Sequence, residues 1–157
     1  MSEVWYFEDV PVGMKTKSKY GRTIRECDLV NFAGISGEYD PLSMDAEYAK
    51  TTKYGAVVAQ DMLLYAFTPS IEPVNELVAK MNQSILAAKG VHNWKIYGKA
   101  KVGDTVYLTN EVVEKIDNRP NRGTVIMRNS IINQNGEVLQ AGDNHVVVAK
   151  KCFFQKK

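Results

Sequence analysis

Residues 23–67 read TIRECDLVNFAGISGEYDPLSMDAEYAKTTKYGAVVAQDMLLYAF, and this stretch decides the fold. Thr23-Ile24-Arg25-Glu26 has the spacing of a capping box, a hydroxyl followed three residues on by a carboxylate, and predicts a helix start. Leu29, Val30, Phe32 and Ala33 then recur at helical spacing and predict one buried face. Gly34, Ser36 and Gly37 end that helix. Pro41 biases Asp40 toward an extended backbone, so no helix restarts before it. Asp45 is placed to cap a short helix over 46–50, which Tyr54-Gly55 breaks. From Gln60 to Phe67 nearly every residue is apolar (Met62, Leu63, Leu64, Tyr65, Ala66), and a helix apolar on all sides is a buried one. The segment 37–45 is therefore expected to hang over a cleft beside the start of that helix.

The flanks support this frame. Residues 5–12 predict an extended lead-in that packs Trp5 and Phe7 on the body. Residues 14–20 alternate weakly, with Lys15, Lys17 and Lys19 on one face, as suits an exposed edge strand. Pro69 and Pro73 bend or end the buried helix, and 72–83 predict a further helix with Val74, Leu77, Val78 and Met81 inward. Strands are predicted over 84–100, 105–116, 123–133 and 137–150. Val102-Gly103-Asp104 reads as a turn, 117–122 as a hairpin loop, and Asn135-Gly136 as a two-residue hairpin. A buried helix followed by a meander of strands predicts an α+β domain, a curved antiparallel sheet wrapped around a long central helix.

At 157 residues the chain is expected to form a single domain, 1–157, with a core of useful size. A net charge of +2 with interspersed signs argues against a nucleic-acid partner, since such arms are longer charge blocks. Lys150, Lys151, Lys156 and Lys157 read as a frayed, solvated tail. Cys27 and Cys152 are far apart, without metal-ligand spacing, and predict two buried or half-buried free thiols in a reducing cytoplasm. The N-terminus is acidic and aromatic, unlike a signal peptide, and no apolar run is long enough to span a bilayer. A soluble, cytoplasmic protein with no membrane partner is expected.

Three stretches carry a family resemblance: FEDVPVGM near the start, FAGISGEYDPLSMDAEYAKTTKYGAVVAQDML, and KAKVGDTVYLTNEVVE. They resemble the MaoC-like hydratases, the (R)-specific enoyl-CoA hydratase and dehydratase group of the hot-dog fold. The resemblance implies a single hot dog, with an acyl-CoA or acyl-carrier-protein thioester as substrate; no cofactor is expected, and no metal, since the spacing of Glu38, Asp40, Asp45 and Asp61 matches no calcium loop. It also implies at least a homodimer that joins two sheets edge to edge, with the acyl site at the interface. In that family an acid and a His on the overhanging segment activate water for addition across an enoyl thioester. Here Glu38 falls on the acid, Ser43 on the His, and Asp40 on the Asn before proline. The family's His-Gly-Met at the start of the central helix is Gln60-Asp61-Met62.

The catalytic candidates are therefore Glu38, Ser43 and Asp61, with Asp40, Asp45, Gln60 and Met62 expected to meet substrate. A glutamate can serve as general acid or base in a suitable cleft. A serine hydroxyl does not titrate near neutrality and cannot by itself replace an imidazole. It can hold a water, act as a nucleophile beside a base, or order its loop. Asp40 is equally a turn residue, and Asp61 equally a helix-stabilising acid. By resemblance the Asp61 N–H polarises the thioester carbonyl, while its carboxylate is free to activate water, as acids do in hot-dog thioesterases. His92 and His145, on predicted strands, read as packed or surface residues. Met62, Tyr65, Tyr97 and Tyr107 read as core and tunnel lining. Three functions stay open: a hydratase or dehydratase, a thioesterase, and a non-catalytic acyl-CoA-binding subunit that pairs with a catalytic hot-dog partner.

Overall fold

The structure, a computed structural model, describes residues 3–71 and 76–154. Pro73, Val74, Lys156 and Lys157, which figure in the expectations above, lie outside the described residues. In chain order come a 3-10 turn Phe7–Asp9, strands β1 (Lys15–Lys17) and β2 (Arg22–Thr23), and helices α1 (Glu26–Ser36), α2 (Pro41–Met44), α3 (Ala46–Thr51), α4 (Asp61–Ala66), α5 (Thr68–Ile71) and α6 (Glu76–Met81). Four long strands follow: β3 (Ile85–Ile96), β4 (Thr105–Ile116), β5 (Arg122–Ile132) and β6 (Val138–Ala149).

The strands pair antiparallel in the order β1-β4-β5-β6-β3, and β2 extends the β1 edge along β4. Side chains alternate across a strand, and Val106, Leu108, Asn110 and Val112 of β4 are all buried on the helix side. Two apolar clusters fill that side. Leu63, Leu64, Phe67 and Ile71 of α4 and α5 meet Val106, Leu108, Ile131 and Leu139. Leu77 and Met81 of α6, with Phe7 and Val10, meet Val112, Val125, Met127, Val146 and Val148. Each fully covered Leu or Met contributes about 2 kcal/mol of burial. The α4 segment passes through Phe67, whose backbone is itself helical, into α5, so the expected central helix is one run with a break in its ladder.

Several local expectations are corrected. Thr23 does not cap α1: it lies in β2, and its hydroxyl pairs with the Thr105 hydroxyl at 2.8 Å. The box forms two residues later, where the Arg25 N–H donates to Asp28 Oδ2 at 2.8 Å. Strand pairing across 82 residues took the hydroxyl that local spacing had assigned to the helix. Val30 is 57 % exposed and Met62 50 % exposed, so α1 and α4 each keep an apolar residue uncovered. Tyr97 is likewise exposed, on the surface beyond the end of β3, and does not line a core or tunnel.

The β5–β6 hairpin is not a two-residue turn. Asn133 N–H donates to Glu137 O, and Gly136 N–H to Asn133 O, both at 3.0 Å, which leaves the three-residue loop Gln134, Asn135 and Gly136. Only Gly136 of these has positive φ (82°), whereas a two-residue type I′ turn needs positive φ at both positions. Cys27 and Cys152 are both exposed, not buried. The described part of the basic end is tied down, with Lys150 on Asp117 and Lys151 on Asp9, each at 2.5 Å.

Candidate functional site

The overhanging segment is built from helix caps. Gly37, at φ 76°, closes α1, and the Glu38 N–H donates to Ser36 Oγ at 3.1 Å. Asp40 Oδ1 accepts the Leu42 N–H at 3.1 Å and so starts α2 at Pro41. Asp45 Oδ1 accepts the N–H groups of Glu47 and Tyr48 at 2.9 and 3.0 Å and starts α3. Such caps are worth about 1 kcal/mol each. Asp40 and Asp45 are exposed and employed as caps, which is the structural alternative for Asp40. Glu38 is half-buried as a residue, and its carboxylate accepts no hydrogen bond among the described residues.

Ser43 turns inward and is 5 % exposed. It lines a hollow of about 190 Å³ with Glu26, Leu29, Val30, Met44 and Val57 among its walls. The segment and α1 are both tied to the approach of α4: Val58 N–H donates to Leu42 O at 3.3 Å, and Gln60 Nε2 to Leu29 O of α1 at 3.1 Å. Gln60 is thereby fixed in orientation, and its Oε1 is buried with no donor among the described residues. A buried acceptor left unpaired costs about 1–3 kcal/mol.

Asp61 opens α4 and is held at two points. Lys99 Nζ donates to its Oδ2 at 2.5 Å, and Gln140 Nε2 to its backbone carbonyl at 2.8 Å. Gln140 is fully buried, and its Oε1 accepts the Trp94 Nε1–H at 3.0 Å. Trp94 meets Tyr65, one turn along α4 from Asp61, edge to face at 4.9 Å. A Cβ on Gly142 would come within 2.6 Å of the Trp94 ring and 2.8 Å of its Cα, so a glycine there is what admits the indole. Asp61 Oδ1, like Gln60 Oε1, is buried without a donor among the described residues. These two consecutive residues hold the unpaired buried side-chain oxygens of the described structure.

On the opposite face of the sheet lies a second carboxylate. Met127 points into the helix-side cluster, so the next residue, Arg128, points away from it. Arg128 Nε and Nη2 donate to Asp143 Oδ1 and Oδ2 at 2.5 and 3.2 Å, and Asn93 Nδ2 adds a long contact at 3.5 Å. The Arg128 hydrogen bond holds the Asp143 carboxyl below its ordinary value against the opposing effect of burial. Beside it the rings of His92 and His145 pack 4.2 Å apart. Burial, then the neighbouring His92, lowers the His145 pKa.

The structure thus draws Ser43 and Gln60 toward the α1 wall and sets Asp61 in a polar network, while Asp40, Asp45 and Met62 stay at the surface. Lys99, Gln140 and Trp94 were not singled out from the sequence. They lie 38, 79 and 33 positions from Asp61, and no local spacing announces them. Among the described residues there is no group of three or more His, Cys, Asp or Glu able to hold a metal ion. No helix there is long and apolar enough to cross a membrane.

A helix run cradled by an antiparallel sheet in this order defines a hot-dog protein, and solved structures bear this out. The MaoC-like domain profile matches residues 8–135. An (R)-specific enoyl-CoA hydratase of Rhodospirillum rubrum is 29 % identical over 107 residues, 66 % of this chain and 67 % of that protein. A monoamine oxidase regulatory protein from Archaeoglobus superposes with a TM-score of 0.84 at 28 % identity, covering 95 % of this chain and 97 % of its own. The R-hydratase PhaJ1 from Pseudomonas aeruginosa superposes with a TM-score of 0.69 at 27 % identity, covering 93 % and 86 %. The chain belongs to the MaoC-like domain family.

Proposed function

We propose that this protein adds water to a 2-enoyl thioester, or runs the reverse dehydration of a 3-hydroxyacyl thioester, on coenzyme A or an acyl carrier protein. The observation that carries the reading is the family match over residues 8–135, joined to the position of Glu38. Of the three carboxylates on the overhanging segment, two are engaged as caps and Glu38 is the one left for chemistry. Glu38 takes a proton from water as the water oxygen bonds to C3. The electron pair of the double bond moves toward the thioester oxygen, to which the Asp61 N–H, the first of its helix and without an intrahelical partner, donates a hydrogen bond. The same proton then passes from Glu38 to C2. The Ser43 hydroxyl holds the water in place and transfers no proton itself. Glu38→Gln is expected to lower hydration of a short 2-enoyl-CoA by at least about 10²-fold. Retained activity in that variant would sink the assignment.

A second reading, thioester hydrolysis, is favoured by one observation, the unpaired Asp61 Oδ1. It routes water through the Asp61 carboxylate and predicts free coenzyme A, lost in Asp61→Asn. Mass analysis of one incubation separates the two, since hydration adds a water mass and hydrolysis releases a thiol. In either case a cytoplasmic homodimer is proposed. Among the described residues the terminal strand β3 carries an unpaired edge with Leu86 and Ile96 exposed along it, which suits edge-to-edge pairing with a second hot dog. A monomer at micromolar concentration in analytical ultracentrifugation would count against it.

A further inference from the structure

Asp61 presents a chemical problem for hydration. Its backbone N–H is the donor to which the reading above assigns the thioester oxygen, and negative charge develops on that oxygen as water adds. A carboxylate on the same residue opposes that charge. Its Oδ1 receives no hydrogen bond from any described residue, so Oδ1 has no donor of its own to spread the charge. Lys99 is the group that meets the carboxylate, with Nζ 2.5 Å from Oδ2.

The pair is not an ordinary surface contact. Lys99 and Asp61 are 23 % and 26 % exposed, whereas every other ion pair among the described residues has at least one partner more exposed than either. Screening by water is weakest where both charges are covered, so removing Lys99 leaves the short-stemmed Asp61 carboxylate felt. The preceding residue, Gln60, 2 % exposed, also keeps a buried side-chain oxygen unpaired: its amide nitrogen is spent on Leu29 and its Oε1 meets no donor among the described residues.

We propose that Lys99 is a charge-compensating positioning residue: its ammonium cancels the Asp61 carboxylate and turns it away from the developing oxyanion, so that the Asp61 N–H can serve a thioester despite its side chain. Gln140 completes the hold from the other side through the Asp61 carbonyl, with Trp94 as its own anchor. Lys99 touches no reacting atom in this account and acts through Asp61. The proposal rests on the hydratase reading.

The test is a double-mutant cycle on hydration of a short 2-enoyl-CoA by the full chain, comparing the parent with Lys99→Met, Lys99→Arg, Asp61→Asn and the Asp61→Asn/Lys99→Met pair. Lys99→Met alone is expected to lower kcat about tenfold with KM within about twofold. Lys99→Arg, which keeps the cation, is expected to retain most activity. The decisive arm is the pair: once the carboxylate is gone there is no charge to cancel, so the double variant is expected to be several-fold more active than Lys99→Met. A merely structural lysine would instead lower activity by the same factor in both backgrounds, and that result overturns the proposal. If Lys99→Met melts before assay, Lys99→Gln takes its place in the same cycle. Loss of all activity in Asp61→Asn with release of free thiol by the parent would overturn both this proposal and the hydratase reading. Water addition by the parent with an unchanged factor in the cycle would overturn this proposal alone.

Discussion

Asp61 and Asp143 are two part-buried aspartates on opposite faces of one sheet, each paired with a cation at 2.5 Å, and they are used differently. Asp143 has both oxygens satisfied, by a two-pronged guanidinium with an amide beside it. Asp61 has one oxygen on Lys99 and the other on nothing among the described residues. A buried ion pair repays its desolvation only when the remaining lone pairs also find partners. Asp143 meets that condition and reads as architecture that ties β5 to β6. Asp61 does not, and its unsatisfied oxygen suits the site role proposed for it. Arginine suits the first role because its planar fork matches a carboxylate, and lysine suits the second because its point charge leaves one oxygen free.

The comparison breaks most readily at Gln140. Gln140→Leu removes two hydrogen bonds at a fully buried position and strands the Trp94 N–H and the Asp61 carbonyl. It is expected to cost about 2–4 kcal/mol in urea unfolding and to weaken activity together with stability. A loss below about 0.5 kcal/mol would show that the network does not hold α4.

Asp143→Asn sharpens the contrast at a smaller scale. Arg128 is half-exposed, so solvent screens part of the interaction, and about 1 kcal/mol of stability is expected to go, with hydration unaffected. An activity loss there would erase the distinction between the two faces.

The same face carries a pH dependence whose sign follows from His145. Its folded pKa is depressed, first by burial and then by the charge of His92, so the folded state binds fewer protons than the unfolded chain. Stability therefore falls as pH drops through about 6.5, the ordinary histidine value, and the loss continues until the folded histidine also protonates. Asp143 and Glu114 work against this shift, and Lys89 works with it. Urea midpoints at about pH 7.5 and about pH 5 should differ less in His145→Asn than in the parent. An identical difference would remove His145 from the account.

The smallest effect is expected at Asp61 itself. Asp61→Asn should change the free energy of urea unfolding by no more than about 0.5 kcal/mol, because a half-satisfied charge is removed and the long Lys99 stem lets its ammonium turn to solvent. A cost comparable to that of Asp143→Asn would make the two aspartates alike after all.

Much of the architecture was legible in residues 23–67 and the strands that follow. The Asp45 cap and the alternation along β4 act over a few residues, where backbone sterics and side-chain spacing leave few choices, whereas the short helix at Pro41, capped by Asp40, was expected to be loop. The misreadings are non-local. Thr23 had the spacing of a cap and was taken by Thr105 from another strand. Met62 stands in an apolar run and faces outward, because which side of a helix is covered depends on what packs there. The site divided the same way: Glu38, Ser43, Gln60 and Asp61 were singled out from the chain and its family likeness, whereas Lys99, Gln140 and Trp94 were not.

Pattern along the chain is enough to mark an α+β domain with a capped overhang, a helix of apolar residues and a run of long strands, along with membership in the MaoC-like family. It took the folded chain to bring Lys99 to Asp61, to set Gln140 on the same residue's carbonyl, and to leave room for Trp94 at Gly142. Caps and alternation are set by neighbours along the chain, whose geometry the backbone fixes. A buried ion pair between residues 38 apart is set by how the sheet folds over the helix, and no local pattern encodes that closure.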